Sequence, residues 1–160
     1  MIIGPGNAGK STLARKLGNK LGLPVYHLDQ YFWLPNWVPK EKKEWKTDHL
    51  KIIQQNSWIV EGDFGELYDI RALHADTIIL LNLPRRIIIP RSFLRRLKYY
   101  GKTRPDMTNG NVEKFNLEYL KWLYKYNRTR ALDLIAKYHD SKNTIILKSQ
   151  RDIEKFLRQL

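Results

Sequence analysis

Near the N-terminus, Gly4-Pro5-Gly6-Asn7-Ala8-Gly9-Lys10-Ser11 places two glycines five positions apart and follows the second directly with a lysine and a serine. Residue types in this pattern bind phosphate. The glycines let the backbone fold so that successive N–H groups point inward around an anion, at the positive end of the helix that follows. Gly4, Gly6, Asn7, Ala8, Gly9, Lys10, Ser11 and Thr12 would then surround a polyphosphate, with the Lys10 ammonium on the β- and γ-phosphates and the Ser11 hydroxyl on Mg²⁺. ATP with Mg²⁺ is the expected ligand. The alternative, a glycine-rich structural turn, is opposed by context: the motif lies between an apolar run, Met1-Ile2-Ile3, and a helical pattern, as a phosphate loop must.

Carboxylates at two further places could complete such a site. Glu61 closes the apolar run Trp58-Ile59-Val60, where an acid beside the phosphate loop can hold a Mg²⁺-bound water. Asp63 is a weaker candidate for the same task, or a cap for the next helix. Asp29 closes Val25-Tyr26-His27-Leu28, and a carboxylate there faces the crevice at the carboxyl ends of the strands. It can orient an acceptor hydroxyl and take its proton, or simply cap the start of the loop. His27 lies two positions earlier and can share its face, although a lone histidine is ordinarily structural.

The elements that must position these groups alternate. Leu13, Leu17 and Leu21 recur at steps of four in a helix from Lys10 to about Leu21, stopped by Gly22. After the run at Val25 come a Pro/Trp-rich loop from Tyr31 to Pro39, a charged helix from about Lys40 to Gln55, the run at Trp58 and a short helix near Gly65 to Leu73. An apolar run at Thr77 to Leu83 leads to a basic helix reaching about Tyr100, a Gly/Pro/Asn-rich loop from Gly101 to Asn111 and one long helical segment from Val112 to Tyr138. Thr144 to Lys148 reads as a fifth strand and Gln150 to Leu160 as a closing helix. Strands that alternate with helices and read as continuous apolar runs imply a parallel sheet covered on both faces. The first strand is short, with three residues before the loop.

The 160 residues suit a single domain, 1–160, and hydrophobic residues at 42% with charged residues at 28% exclude a disordered or collagen-like chain. No cysteine is present, which removes disulfide scaffolds, thiolate zinc sites and cysteine nucleophiles and suits a cytoplasmic setting. No window approaches the ~18–20 apolar residues of a membrane-spanning helix, and no signal peptide is expected. The net charge is +13. From Pro84 to Ala131 there are 13 Lys and Arg, eight of them Arg, against three acids. Such a segment is the footprint of a loop closing on a nucleotide, of a nucleic-acid surface, or of a plain solvated face. A kinase needs arginines converging on the transferred phosphate and a mobile loop that excludes water.

The phosphate loop, Tyr26-His27-Leu28-Asp29, Phe32-Trp33 with Trp37, Trp58-Ile59-Val60-Glu61-Gly62-Asp63 and Lys102-Thr103-Arg104-Pro105-Asp106-Met107 together resemble the adenylate-kinase-related P-loop kinases labelled "DNA topology modulation" proteins, over nearly the whole chain. The sequence is more distantly similar to nucleoside monophosphate, shikimate and gluconate kinases. The resemblance implies a three-layer α/β fold of the P-loop NTPase type, with a five-stranded parallel sheet in the order 2-3-1-4-5. It also implies an acceptor flap at about 30–56 and a lid at about 95–115. It carries lid-arginine roles to Arg91, Arg95 and Arg104, with Arg128 as a partner from the returning helix. Two features depart from adenylate kinase: Trp33-Leu34-Pro35-Asn36-Trp37 replaces its Thr-Gly-Asp segment, and no arginine directly follows Gly62, although Arg71 could reach that place. The expectation is an ATP-dependent phosphotransferase acting on an unidentified small acceptor. Lys10, Asp29, Arg91 and Arg95 would be catalytic, Ser11 and Glu61 would hold the metal, and Asp29, Trp33, Arg71 and Arg104 would hold the acceptor. The alternative is a nucleic-acid-associated ATPase or DNA-binding protein that uses the basic segment 85–130.

Overall fold

The computed structural model describes residues 1–160. It begins with β1 (Ile2–Ile3), the phosphate loop and α1 (Lys10–Leu21), followed by β2 (Val25–His27) and a short α2 (Leu28–Phe32). A two-stranded antiparallel ribbon, β3 (Trp33–Leu34) and β4 (Val38–Pro39), then leads to α3 (Lys42–Ile53) and β5 (Ile59–Glu61). After a single 3₁₀ turn at Gly65–Leu67 come α4 (Tyr68–His74), β6 (Thr77–Leu81) and α5 (Arg85–Tyr99). The chain ends with α6 (Leu117–Lys125), α7 (Thr129–Tyr138), β7 (Asn143–Leu147) and α8 (Gln150–Gln159). No helix is long and apolar enough to cross a membrane.

The main sheet has five parallel strands in the order β2-β5-β1-β6-β7. The resemblance implies 2-3-1-4-5; the numbering differs because the ribbon β3–β4 lies in the chain between the second and third strands of this sheet. Register places Ile2 opposite both Glu61 and Ile79, and His27 opposite Glu61. The sheet is covered on both faces, which explains its unalternating apolar runs. On one face Leu13, Ala14 and Leu17 of α1 pack with Ile88 of α5 and Ile153 of α8; on the other Ala72 of α4 packs with Ala131, Leu134 and Ile135 of α7. A third cluster, built on Trp45, Ile52, Ile53 and Leu28, sits beneath α3.

Three expected elements are redrawn. The apolar run from Thr77 is a strand only to Leu81, because Pro84 starts the turn into α5. The strand at Val25 ends at His27, so Asp29 is the second residue of α2 rather than a strand tip. The single long helix expected from Val112 to Tyr138 is two helices. Asn116 caps α6 by accepting from the Tyr119 N–H (3.0 Å), Tyr126 leaves helical geometry, and Asn127 accepts from the Thr129 N–H (2.8 Å) to start α7. Asparagine favours such starts because its side chain replaces a missing backbone acceptor.

Gly18, inside α1, marks where the helix presses on β2. A Cβ there would lie 2.3 Å from Cγ2 of Val25 and 3.1 Å from the Leu23 carbonyl oxygen. Replacing glycine by alanine within a helix ordinarily stabilises by roughly 0.5–1 kcal/mol, but overpacking against a stiff β-branched side chain costs about 1–3 kcal/mol. Gly18→Ala should therefore lower the urea unfolding midpoint. A midpoint at or above the parent's would show slack between α1 and β2.

Candidate functional site

The phosphate loop takes the shape its residues demand. Gly4 has φ 131° and Gly9 φ 98°, both in the region that favours glycine, and a Cβ on Gly4 would lie 2.5 Å from the Leu81 carbonyl oxygen of β6. Asn7 also has a positive φ, 62°, as asparagine tolerates. The Lys10 ammonium curls over the loop and donates to the carbonyls of Gly4 (2.8 Å) and Pro5 (2.9 Å). Lys10, Ser11 and Thr12 form the first turn of α1, whose N–H groups have no intrahelical acceptor. A strained loop, a positioned cation and free helix N–H groups are the requirements of a polyphosphate site, and the residues present meet them.

The loop forms one end of a cavity of about 1440 Å³. Gly6 to Thr12 line it, as do Asp29, Trp33, Glu61, Arg91, Arg95 and Arg104. Glu61 is buried, and its Oε1 accepts from His27 Nδ1 at 2.7 Å across the β2–β5 register. His27 therefore holds Glu61 rather than sharing a face with Asp29. Burial pushes the Asp29 carboxyl above its ordinary value, and the Glu61 charge adds to the rise against the opposing pull of Lys10 and Arg104. Asp106, from the segment between α5 and α6, faces the same place. Burial raises its carboxyl too, but Arg104, the Ser11 hydroxyl, its own N–H and His27 outweigh that and hold it low.

Ser11, Asp29, Glu61 and Asp106 offer hard oxygen ligands, which suit Mg²⁺. No three of the acidic side chains converge tightly enough to hold an ion unaided.

The arginines separate. Arg91 donates to Gln150 Oε1 (2.8 Å) and lies 3.5 Å from the Ala8 carbonyl, at the edge of the phosphate loop. Arg104 is paired with Asp106 (3.1 Å) and Glu113 (2.6 Å), and Arg95 lies 3.8 Å from the same Glu113 oxygen. Arg71, expected to reach an acceptor, is fully buried. It donates to the carbonyls of Gly62 (2.8 Å), Asp63 (2.9 Å) and Phe64 (3.3 Å) and lies outside the cavity lining. Arg128 donates to the Leu83 carbonyl (2.8 Å) and is likewise outside it. Gly4 acts from behind, through its carbonyl on Lys10. Asp63 caps no helix; its Oδ1 accepts from the hydroxyls of Tyr68 and Tyr126, both of which burial and the Asp63 charge push upward.

Residues with no motif complete the enclosure. Tyr119 of α6 brings its hydroxyl 3.2 Å from Asn7 Nδ2 and beside Gly6, where a Cβ would lie 2.2 Å from it. The Arg96 guanidinium lies over the Tyr119 ring, 4.4 Å from its centroid. The ribbon and α2 are tied to the segment after α5 by four hydrogen bonds: Trp37 N–H to Asn111 (2.6 Å) and Trp37 Nε1 to the Val112 carbonyl (3.0 Å) from the ribbon, and Gln30 to the Pro105 carbonyl (3.1 Å) and Thr108 to the Gln30 carbonyl (2.8 Å) at α2. These contacts span about 70 residues or more, so only Asp106, two positions after Arg104, left a local trace in the sequence.

No protein-family model and no curated protein sequence matches this chain. Its structure is similar to that of shikimate kinase from Bacteroides thetaiotaomicron, at a TM-score of 0.57 and 15% identity over 99% of this chain and 93% of that one. It is also similar to a gluconokinase from Sinorhizobium meliloti 1021 (TM-score 0.56, 12% identity, 99% and 86% covered). The chain has the fold of the P-loop kinases. A deoxyadenosine kinase from M. mycoides with bound dATP aligns at a TM-score of 0.51 and 14% identity, over 99% of this chain and 96% of that one. At these identities the likeness is one of fold, and the chemistry must be argued from the P-loop and the cavity.

Asp29 also sets a stability test. A carboxyl whose folded-state pKa lies above its unfolded value binds protons more tightly in the native protein, so its contribution is lost as pH rises through the folded pKa. Asp29→Asn removes that loss. The variant should gain stability over the parent at pH 8 and gain much less at pH 4, measured by denaturant unfolding. A difference independent of pH would place the Asp29 carboxyl in a well-solvated setting.

Proposed function

We propose that this chain is an ATP-dependent phosphotransferase acting on a small acceptor, of the adenylate-kinase-related kind that carries the "topology modulation" label. The observation that carries this reading is a single cavity lined by the phosphate loop together with Asp29 and Trp33. Its volume exceeds the ~300–1,000 Å³ of a pocket for one small molecule, leaving room for a donor nucleotide and an acceptor together.

In this reading the P-loop N–H groups and Lys10 bind and orient the donor phosphates, and Arg91 flanks them from α5. Ser11, Glu61 and Asp106 would hold Mg²⁺, which when bound supplies charge neutralisation on the phosphates. Asp29 takes the proton of the acceptor hydroxyl. Burial raises the basicity of its carboxylate above that of an exposed one, which suits a group that accepts a proton. Arg95 and Arg104, paired on Glu113, form a cationic wall at the side of the cavity. The ribbon and the segment after α5, joined through Trp37 and Asn111, act as flap and lid that exclude water. Four arginines of the basic segment (Arg91, Arg95, Arg96 and Arg104) line the cavity, which favours this reading over a nucleic-acid surface.

Calorimetry with Mg²⁺·ATP should show one bound nucleotide per chain, and Lys10→Ala should abolish turnover. Arg91→Ala should slow turnover by about 10³-fold if its charge acts mainly in the transition state, with ATP affinity within about tenfold of the parent. Absence of ATP binding would sink the proposal. Salt-sensitive DNA binding without phosphotransfer would assign segment 85–130 to nucleic acid.

A further inference from the structure

We propose that the outer face of α5 and α6 docks on an anionic lipid surface. The proposal is independent of the phosphotransferase reading and concerns the side of these helices turned away from the cavity.

The first observation is where apolar side chains stay exposed. Eight of the fifteen large apolar side chains exposed on the molecule lie between Phe93 and Tyr124. Single exposed apolar residues are ordinary, but a contiguous cluster marks a surface that something covers. On α5, Arg86, Pro90, Phe93 and Leu97 recur at steps of four, three and four and are all exposed, which puts them on one helix face. On α6, Leu117, Lys121, Tyr124 and Lys125 are exposed and share a face for the same reason.

The two faces are continuous. A groove of about 340 Å³ between the helices is lined by Ile89 and Phe93 on one side and by Leu117, Leu120 and Tyr124 on the other. Lys121 and Lys125 are its only charged residues. At one end the Arg85 guanidinium lies over the Tyr124 ring, 5.2 Å from its centroid; at the other, Tyr100 meets Phe115 with ring centroids 5.9 Å apart.

The second observation is charge. Arg85, Arg86 and Lys98 of α5 and Lys121 and Lys125 of α6 are all exposed. α5 contains no acid, and the one acid of α6, Glu118, lines the cavity instead. An occupant of this face must therefore offer an apolar interior and negative charge together. The interface of a bilayer with acidic headgroups does so. Leucine and phenylalanine enter the acyl boundary, tyrosine rings sit at the headgroups, and arginine and lysine meet lipid phosphates.

Other occupants fit less well. A second copy across a two-fold axis would set these cations against their own counterparts. Nucleic acid answers the charge, but its interfaces are polar and would leave the leucines facing phosphate and sugar. A protein helix would seat in the groove, yet Leu94 and Leu97 lie outside it and are each 64% exposed.

The test is co-sedimentation of the intact protein with vesicles of phosphatidylcholine alone and of equal parts phosphatidylcholine and phosphatidylglycerol. Binding to the anionic vesicles should exceed binding to the neutral ones by about tenfold or more and weaken as salt is raised. Leu94→Glu with Leu97→Glu should cut binding to anionic vesicles by about tenfold or more, because two apolar anchors are lost. Lys121→Ala with Lys125→Ala should cut it by about 25-fold, about fivefold per charge. Both pairs are exposed and outside the cavity lining, so the urea midpoint and Mg²⁺·ATP binding should match the parent's. Should the leucine pair fail to fold, Leu94→Ser and the lysine pair decide. Equal binding to both vesicles, binding to neither, or leucine variants that bind like the parent would overturn the proposal. A dimer in sedimentation velocity that the leucine pair abolishes assigns the face to a second copy. Duplex DNA bound in place of anionic vesicles assigns it to nucleic acid, and either result overturns the proposal as well.

Discussion

Ile2 pairs on one side with Glu61 and on the other with Ile79, and the site depends on that register. β1 has only two residues, yet it is the central strand, so the P-loop leaves the sheet at its middle. Glu61 is thereby brought to the level of the P-loop, and His27, opposite Glu61 on the next strand, fixes its carboxylate. A slip of β5 by one residue would turn Glu61 away from the cavity and put Val60 or Gly62 in its place, because side chains alternate faces along a strand. Gly4 adds a second constraint: its missing Cβ lets the loop pass against the Leu81 carbonyl. Parallel strands carry their loops at the carboxyl ends, so the groups from β1, β2 and β5 meet on one rim.

A chain of net charge +13 has nonetheless built a pocket with carboxylates on its floor. Burying them costs stability, and the raised Asp29 carboxyl is the mark of that cost. Glu113 and Asp106 are different, because Arg104 binds both and makes a compact ion cluster within the wall. Breaking such a cluster leaves an uncompensated buried charge, which destabilises far more than losing a surface pair. The basic segment therefore has two parts: arginines that hold the cavity, and exposed residues such as Arg85, Lys98 and Lys125 that keep the surface charged.

Shikimate kinase and gluconokinase share the sheet and its helices at 15% and 12% identity. A fold that hosts several chemistries leaves substrate choice to the inserted segments. The ribbon from Trp33 to Pro39 and the stretch from Gly101 to Asn116 bond to each other through Trp37 and Asn111.

The P-loop was legible in the sequence because its geometry is local: positive-φ residues, a lysine returning to carbonyls five and six positions earlier and a helix start all lie within nine residues. The alternation of strands and helices was legible for a related reason, since burial on both faces of a parallel sheet leaves continuous apolar runs. Helix breaks at Asn116 and Asn127 had a local signal, but the apolar pattern across them concealed it. Arg71 could not be placed from sequence, because whether a guanidinium enters a cavity or caps carbonyls depends on how α4 packs against the loop after β5. Asp106, Tyr119 and the Trp37–Asn111 tie meet the P-loop or the ribbon only after chain closures of about 70 to 110 residues. Short-range pattern determined the P-loop; the rest of the cavity was decided by packing, because its charges and rings come from segments that touch only in the folded chain.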